Sequence, residues 1–371
     1  MTAAPGSVLV DIIAGARPNF MKIAPIIRAF EARAKAEGPL RYRLIHTGQH
    51  YDAKMSGDFF TQLGIPEPHL NLEVGSGSHA EQTASIMTRY EKALLDERSH
   101  MCIVVGDVTS TMACAIAAQK LWVRVGHVEG GIRSGDWTMP EEINRMVTDA
   151  ITNDFFTTSE VANANLRKSG VSDDRIHFVG NTMIDTLLAN MARLQPPAFF
   201  AELALKEGHY LVLTLHRPNN VDGQDTLAAL LKAVGVGARG LPVVFPVHPR
   251  TAKTLKEIAG LPANIQFVDP QPYLEFNYLV KHAKAVITDS GGITEETTVM
   301  AVPCMTLRTS TERPETVTMG TNELLGTNPA ALAPAYETLF AGKWKRGAIP
   351  PLWDGKTGPR IVAILERILA Q

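Results

Sequence analysis

The sequence predicts an α/β protein built from two Rossmann-like domains. Short runs rich in β-branched residues alternate with segments of helix length, the pattern of a parallel sheet whose crossover connections are helices. This alternation runs from residue 8 to residue 179 and begins again at Tyr210. The length of 371 residues also exceeds what one hydrophobic core usually supports. We therefore expect two open sheets facing a central cleft, with ligands bound at the carboxyl ends of the strands.

The first series contains six predicted strands, each followed by a segment of helix length. They are residues 8–13, 42–47, 102–105, 123–128, 155–158 and 176–179. Apolar residues at helical spacing, such as Ile23, Ile26, Ile27 and Phe30, predict a helix directly after the first strand. We assign residues 1–182 to this N-terminal domain.

The second series restarts the same rhythm with five predicted strands, at residues 210–215, 243–247, 265–268, 285–288 and 304–307. The intervening segment 183–206 contains Pro196-Pro197 and is the expected connection between the domains. We assign residues 207–357 to the C-terminal domain. The last helical pattern, residues 358–371, is expected to pack back on the N-terminal domain.

Composition excludes several classes of protein. Lys and Arg total 36 against 38 Asp and Glu, a net charge of −2, which argues against a general nucleic-acid binder or a protein of anionic membrane surfaces. Neither a secretory signal nor an apolar run of about 18 residues is present, so we expect a cytoplasmic protein without a membrane segment. Cys102, Cys114 and Cys304 lack the spacing of a zinc site, which predicts reduced, buried thiols and no metal.

Charged residues follow the predicted strands of the first domain. Arg17 and Lys22 come after the first strand, where they either reach an anionic ligand or are ordinary surface cations. Asp107 comes directly after the strand 102–105, where a carboxylate serves equally well as a helix N-cap or as a catalytic base.

Two further acidic sites lie about a dozen residues apart. Glu129 ends the strand 123–128, and Glu141 and Glu142 lie in the first turn of a predicted helix. One interpretation is proton transfer; the other is that acidic residues in a first turn simply favour the positive end of the helix dipole.

The second domain contains a pattern typical of diphosphate binding. A predicted strand gives way to Ser290, Gly291 and Gly292 and then to a helix, so that backbone N–H groups and the helix dipole can hold phosphate oxygens. Glu296, one turn further on, is placed to accept hydrogen bonds from ribose hydroxyls. The alternative is a structural turn capped by the serine.

Basic residues also follow three strands of the second domain. His216 and His248 each end a predicted strand beside an arginine or proline, and Arg313 follows the strand 304–307. A lone histidine is usually structural, but two at equivalent strand ends suit a phosphate or the junction of sugar and phosphate.

Taken together, these segments resemble the non-hydrolysing UDP-N-acetylglucosamine 2-epimerases, from residue 15 to about residue 326. The residues that carry the resemblance are Gly15-Ala16-Arg17-Pro18 with Lys22, His46-Thr47-Gly48-Gln49-His50, Gly106-Asp107, His127-Val128-Glu129, Pro140-Glu141-Glu142-Ile143-Asn144-Arg145, Gly180-Asn181-Thr182, His216-Arg217, Asp289-Ser290-Gly291-Gly292 and Glu312-Arg313-Pro314-Glu315. The resemblance implies the GT-B arrangement of two Rossmann-like domains, a homodimer, and a UDP-sugar substrate with no redox cofactor or metal.

The resemblance also implies a reaction and roles for residues. UDP-GlcNAc and UDP-ManNAc would be interconverted by elimination of UDP to 2-acetamidoglucal and its re-addition, for surface polysaccharide precursors. The implied catalytic residues are Asp107, Glu129, Glu141, His216 and Lys22. The implied substrate-binding residues are Arg17, Arg145, His248, Phe276, Ser290, Gly291, Gly292, Glu296 and Arg313. Gln49 and His50 fall in the neighbourhood where many family members bind a second UDP-GlcNAc as an activator.

Some positions depart from the commonest bacterial pattern, namely Ala16, Asn19, Val108 and Gly130. These departures leave the exact sugar open, so one alternative is a 2-epimerase of UDP-2,3-diacetamido-glucuronic acid. Two alternatives of other classes are a GT-B glycosyltransferase and a catalytically silent UDP-sugar sensor. We expect the loop 133–139 to decide which sugar is accepted. On the helix that follows it, Arg145 is expected to orient Glu141 or the diphosphate, and Glu142 to have only a helix-end role.

Overall fold

The computed structural model describes residues 8–48 and 60–370, with the backbone alone for Arg17, Pro249 and Arg250. The chain forms two compact units, Met1–Ala189 together with Pro351–Gln371, and Asn190–Pro350. The boundaries expected from the sequence were 182 and 357, so the first unit extends slightly further at each side. The first division falls within the expected connecting segment 183–206, because the helix that begins at Thr182 stays with the first sheet.

The first unit contains a sheet of seven parallel strands within the described residues, in the order β3-β2-β1-β4-β5-β6-β7. The strands are β1 Val8–Ala14, β2 Leu40–His46, β3 Leu70–Asn71, β4 Met101–Val105, β5 Arg124–Val128, β6 Asp154–Thr157 and β7 Ile176–Phe178. Helices connect them: α1 Arg17–Lys35, α2 His79–Asp96, α3 Thr109–Lys120, α4 Pro140–Ile151, α5 Glu160–Lys168 and α6 Thr182–Asn190. The strand β3 was not predicted, because two residues are too few to show a period.

The core of the first unit explains why these segments become strands. Residues of β1, β4 and β5 are buried almost without interruption, as expected for a parallel sheet covered by helices on both faces. Ile13, Cys114 and Val125 share one apolar cluster with Tyr90 of α2. The strands are thereby fixed in register, and their carboxyl ends lie along a single edge of the sheet.

The second unit repeats the design with six parallel strands in the order β10-β9-β8-β11-β12-β13. They are β8 Leu211–Thr214, β9 Val243–Pro246, β10 Ile265–Val268, β11 Ala285–Thr288, β12 Cys304–Thr306 and β13 Asn322–Leu324. The helices are α7 Phe199–Glu202, α8 Pro218–Val221, α9 Gln224–Gly237, α10 Pro249–Leu255, α11 Tyr273–His282, α12 Gly291–Val299, α13 Pro314–Thr318 and α14 Leu332–Phe340. Leu230 and Tyr336 pack on one apolar cluster of the sheet, and Tyr210 and Leu279 on another.

The last helix, α15 Thr357–Leu369, belongs to the first unit and packs on α1. The Nη2 atom of Arg33 lies 2.7 Å from Oε2 of Glu366. At Gly358 the two helices approach so closely that a Cβ atom would stand 2.4 Å from the carbonyl oxygen of Pro25. Just before α15, the buried Trp353 donates its indole N–H to the carbonyl oxygen of Thr158 at 3.0 Å.

The structure confirms the α/β class and the two Rossmann-like parallel sheets. The three cysteines are buried and free, as predicted. Among the described residues no helix is both long enough and apolar enough to cross a membrane. In each unit some of the charged residues singled out from the sequence, such as Asp107, Glu129 and His216, follow strands at the carboxyl edge of the sheet, the edge where such folds bind ligands.

Candidate active site

A buried ion pair joins α1 to the end of β5 in the first unit. The ammonium group of Lys22 lies 2.7 Å from Oε2 of Glu129, and the side chains are 11% and 3% exposed. Glu129 has a left-handed backbone with φ of 70°, and its N–H donates to the carbonyl oxygen of Phe156 at 2.9 Å. A non-glycine residue held in this conformation is typical of functional sites, because the surrounding structure must offset the strain.

Gly106 and Asp107 form the turn at the end of β4. Gly106 has φ of +70°, and a Cβ atom there would lie 2.9 Å from Nζ of Lys22. Asp107 accepts hydrogen bonds on Oδ2 from Nη2 and Nε of Arg145, at 2.5 and 3.1 Å. The interpretation of Asp107 as a helix N-cap is wrong, since Val108 occupies that position in α3. The carboxylate of Asp107 is therefore oriented by an arginine at the sheet edge.

The first turns of α4 separate the two neighbouring glutamates. Glu142 is only 2% exposed and accepts hydrogen bonds from the backbone of Ser134 and Gly135, each at 3.0 Å. Burial opposes its ionisation, but these N–H groups and Arg145 outweigh it, so the pKa of Glu142 is lowered. Glu141 is half-buried and makes no hydrogen bond or ion pair with another described residue. The expected contact of Arg145 with Glu141 is therefore not formed, and Arg145 binds Asp107 and Glu142.

Sequence reasoning missed a buried histidine between these carboxylates. His127 is fully buried on β5, with Nδ1 2.7 Å from Oδ1 of Asp149 and Nε2 2.8 Å from the carbonyl oxygen of Gly106. Asp149 also accepts from Nη1 of Arg133 at 2.6 Å, and although burial opposes ionisation, His127 and Arg133 lower its pKa. This network anchors the Gly106 turn to α4. Two signals could have found it: the inward position of His127 by strand alternation, and an aspartate on the buried face of the next helix.

In the second unit, Asp289 directly follows β11, and its carboxylate binds the residues that follow β8. It is fully buried, and Oδ1 lies 2.8 Å from Nδ1 of His216. Oδ2 accepts from the backbone N–H of Arg217 at 2.9 Å and from Nδ2 of Asn220 at 3.1 Å. Burial opposes ionisation, but His216 and these donors lower the pKa of Asp289. The His216 ring is thus held by one nitrogen, and 43% of the side chain remains exposed. The exposed ring of His248 has its centroid 6.1 Å from that of His216.

Ser290, Gly291 and Gly292 lie at the N-terminus of α12. The side chain of Ser290 does not cap the helix, so the alternative of a structural turn with a capping serine is wrong. A Cβ atom at Gly291 would lie 3.6 Å from Oε2 of Glu312 and 3.7 Å from Nη1 of Arg308. These are ordinary van der Waals distances, so the guanidinium of Arg308 lies beside this helix end.

Glu296 is buried on α12, and its charge is disfavoured. Burial raises its pKa from 4.5 to about 7, an effect reinforced by Glu295 and opposed by hydrogen bonds from Tyr273 and Asn277. The Nδ2 atom of Asn277 lies 3.4 Å from Oε1 of Glu296. A hydroxyl ligand that donates to this carboxylate would favour its ionised form.

Two arginines at this edge are paired with buried glutamates. Arg313, which the sequence placed among ligand-binding cations, is 9% exposed and bonds Glu295 through Nε. Arg308, which the sequence did not single out, forms a two-pronged pair with Glu312, with both nitrogen–oxygen distances at 2.7 Å. Nη2 of Arg217 lies 3.8 Å from the same glutamate. The cations beside the Ser290–Gly292 turn are thus Arg308 and also Arg217, whose Nε donates to the carbonyl oxygen of Asp289 at 3.0 Å.

The remaining predicted residues have simpler positions. Phe276 on α11 is partly buried and packs against the apolar cluster that includes Leu279 and Val280. Gln49 and His50 lie outside the described residues, as does the side chain of Arg17. Within residues 8–48 and 60–370, no group of three or more His, Cys, Asp or Glu side chains is arranged to hold a metal ion.

Comparison with known proteins adds independent evidence. A family model described as UDP-N-acetylglucosamine 2-epimerase matches residues 32–366. The chain is 41% identical to the UDP-N-acetylglucosamine 2-epimerase of Methanocaldococcus jannaschii over 369 residues, which cover 96% of this chain and 98% of that protein. It is 39% identical to the UDP-2,3-diacetamido-2,3-dideoxy-D-glucuronate 2-epimerase of Pseudomonas aeruginosa over 318 residues, 85% of this chain and 87% of that one. The crystal structure of the M. jannaschii enzyme with UDP-GlcNAc and UDP superposes with a TM-score of 0.86 at 39% identity, covering 97% of this chain and 100% of that one.

Proposed function

This chain belongs to the UDP-N-acetylglucosamine 2-epimerase family, and we propose that it interconverts UDP-GlcNAc and UDP-ManNAc without hydrolysing them. It is an isomerase. The observation that carries the proposal is the pair of oriented carboxylates at one sheet edge of the first unit, Asp107 held by Arg145 and Glu129 held by Lys22, with Glu141 in the first turn of α4 as the third candidate. Inversion at C2 requires a proton to leave one face of the sugar and another to arrive at the opposite face, so more than one acid or base is needed.

The reaction proceeds by elimination and re-addition, because the C2 hydrogen is not acidic enough for direct exchange. A carboxylate takes the proton from C2, the C–H electron pair forms the C1=C2 double bond, and the C1–O pair leaves with the diphosphate of UDP. The intermediate is 2-acetamidoglucal. A carboxylic acid then protonates C2 from the other face, and a diphosphate oxygen of UDP adds to C1. Asp107, Glu129 and Glu141 supply these proton transfers.

The second unit binds the part of the substrate that leaves. Backbone N–H groups of Ser290, Gly291 and Gly292 at the positive end of α12 bind diphosphate oxygens, and Glu296 accepts hydrogen bonds from ribose hydroxyls. Because Asp289 occupies Nδ1 of His216, Nε2 is the nitrogen that donates to the departing diphosphate when the ring is protonated. We further propose a cytoplasmic homodimer that supplies surface polysaccharide precursors, as the family resemblance implies.

A second candidate is epimerisation of UDP-2,3-diacetamido-glucuronic acid. The observation that favours it is the 39% identity with the P. aeruginosa enzyme of that specificity. The two candidates share the same chemistry at C2 and differ at C3 and C6 of the sugar. We expect the loop 133–139 to discriminate between them.

The test is incubation of the purified protein in heavy water with each UDP-sugar and no acceptor, followed by NMR. The expected result is UDP-ManNAc from UDP-GlcNAc, with deuterium at C2 in both. If only the diacetamido uronate is epimerised, the proposed substrate is wrong but the proposed type of reaction stands. Failure with both sugars would exclude the epimerase, and epimerisation without an acceptor excludes a glycosyltransferase or a silent sensor.

A further inference from the structure

Glu142 is the meeting point of a loop and an arginine at the candidate site. Its Oε2 atom accepts from the N–H and the Oγ of Ser134, each at 3.0 Å, and from Nη1 of Arg145 at 2.6 Å. Its Oε1 atom accepts from the N–H of Gly135 at 3.0 Å. Four donors thus converge on one buried carboxylate, far more than a first-turn acidic residue needs in order to favour a helix dipole.

The same arginine reaches the proposed acid or base. Glu142 and Arg145 are three residues apart and lie on one face of α4. While Nη1 of Arg145 bonds Glu142, Nη2 and Nε bond Oδ2 of Asp107 at 2.5 and 3.1 Å. A guanidinium group is planar, so two carboxylates on different edges fix its orientation. An unbroken series of hydrogen bonds therefore runs from the backbone of residues 134 and 135 to Asp107.

We propose that Glu142 is a positioning residue that couples the loop at Ser134 and Gly135 to the Asp107 carboxylate through Arg145. The proposal deepens the proposed epimerase function and rests on it. Glu142 itself touches no reacting atom. It holds the arginine in the orientation that places Asp107, and it holds the loop expected to choose the sugar. The same carboxylate, that of Glu142, therefore positions both the loop expected to recognise the sugar and the residue proposed to transfer a proton.

The decisive variant is Glu142→Gln, which preserves size but has only one acceptor oxygen. If that oxygen takes the Oε2 position, the amide NH₂ faces the Gly135 N–H, donor against donor, and Arg145 loses an anionic partner. We expect kcat to fall about 10- to 100-fold, the range for loss of a charge-assisted hydrogen bond, while KM stays within roughly threefold. Glu81→Gln is the matched control, because Glu81 also accepts a backbone N–H at a helix start, from Ser78 at 2.9 Å, and we expect wild-type turnover from it.

A combination with Arg145→Lys separates positioning from general damage. A lysine cannot bond both carboxylates with a rigid fork. If Glu142 acts through Arg145, the kcat of the double variant equals that of the less active single variant. The proposal would be overturned if the kcat losses of the two single variants multiply in the double variant. It would also be overturned if Glu142→Gln has a wild-type kcat, with or without a raised KM.

Hydrogen exchange tests the coupling without any substrate. We expect Glu142→Gln and Arg145→Lys both to speed exchange of the Ser134 and Gly135 amides, measured by mass spectrometry; unchanged exchange in Arg145→Lys would refute the coupling. If the wild type does not epimerise but this exchange result is found, the proposed function fails and the coupling survives. Should Glu142→Gln fail to fold, Ser134→Ala removes the hydroxyl that donates to Glu142 and that also accepts the N–H of Asp136 at 3.2 Å, and we expect about a 2- to 10-fold lower kcat; a wild-type kcat there would refute the proposal.

Discussion

Replacing Gly106 by alanine tests whether the missing side chain in the turn after β4 leaves the space that Lys22 needs to pair with Glu129. The new Cβ atom would stand 2.9 Å from Nζ of Lys22, closer than such atoms approach, and φ is +70°. The left-handed backbone costs a residue with a side chain about 1–2 kcal/mol. The lysine end is flexible, so Nζ would shift by a small amount, and its distance of 2.7 Å from Glu129 would lengthen. A hydrogen bond between charged groups contributes about 1.5–3 kcal/mol, which is the most that this weakening can cost.

We therefore expect Gly106→Ala to lower the free energy of unfolding of the first unit by about 1–2 kcal/mol from the backbone and by up to about 3 kcal/mol more from the weakened pair. Gly170 is the matched control, since its φ is +84° in the same unit and no atom lies within 4 Å of its added Cβ. Gly170→Ala should cost only the backbone strain, about 1–2 kcal/mol.

The assay is urea unfolding of both variants, followed by turnover in the heavy-water experiment. We expect Gly106→Ala to lose at least about 10-fold in kcat, because the displaced lysine no longer orients Glu129, and Gly170→Ala to retain wild-type turnover. Equal stability losses in the two variants, together with wild-type turnover in Gly106→Ala, would refute the argument that Gly106 exists to make room for Lys22.

Three further substitutions follow from the same geometry. Glu141→Gln should lower kcat about 100-fold or more while UDP affinity by calorimetry is kept, and an unchanged kcat would remove Glu141 from the mechanism. Asp289→Asn replaces the anionic partner of His216 by a neutral amide that retains one acceptor oxygen but can present NH₂ to the ring. We therefore expect ¹⁵N NMR to show the ring proton moved from Nδ1 to Nε2, and kcat lowered at least about tenfold because the ring has lost its anionic partner. A wild-type spectrum would contradict this. Burial raises the pKa of Glu296 from 4.5 to about 7, so the ligand-free folded state keeps a proton that the unfolded chain releases. Stability contributed by this group therefore falls as pH rises between these values, by roughly 3 kcal/mol, and Glu296→Gln should abolish that fall in urea unfolding at pH 5 and 8; parallel pH profiles would argue against it.

The positions of most strands along the chain, and the residues that follow them, could be predicted from sequence, because both depend on local pattern; β3 and β13 are too short to show one. Buried parallel strands are continuous apolar runs, so the residue after each run marks the carboxyl edge of a sheet. Asp107 and Glu129 lie at that edge, as expected, for this reason. The family resemblance then supplied roles that pattern alone left open.

The partners of these residues could not be predicted, because each pairing joins distant segments. Arg145 was expected to orient either Glu141, four positions away on the same helix, or the diphosphate; of its side-chain partners, the bond to Asp107 across the sheet edge was not foreseen. Glu142 was assigned a helix-end role from its neighbour's position, whereas the loop before the helix folds back on it. The bond between His127 and Asp149 depends on strand and helix faces that only the packed unit brings together.

The position of α15 bears on how the chain is made. Residues 351–371 complete the first unit, yet they are synthesised after all of Asn190–Pro350. While the ribosome is still making the second unit, Arg33 has no Glu366 to bind, and the Pro25 turn of α1 has no Gly358 against it. The unit that emerges first is thus finished last, and the nascent chain must carry an uncovered surface on α1 through most of its synthesis.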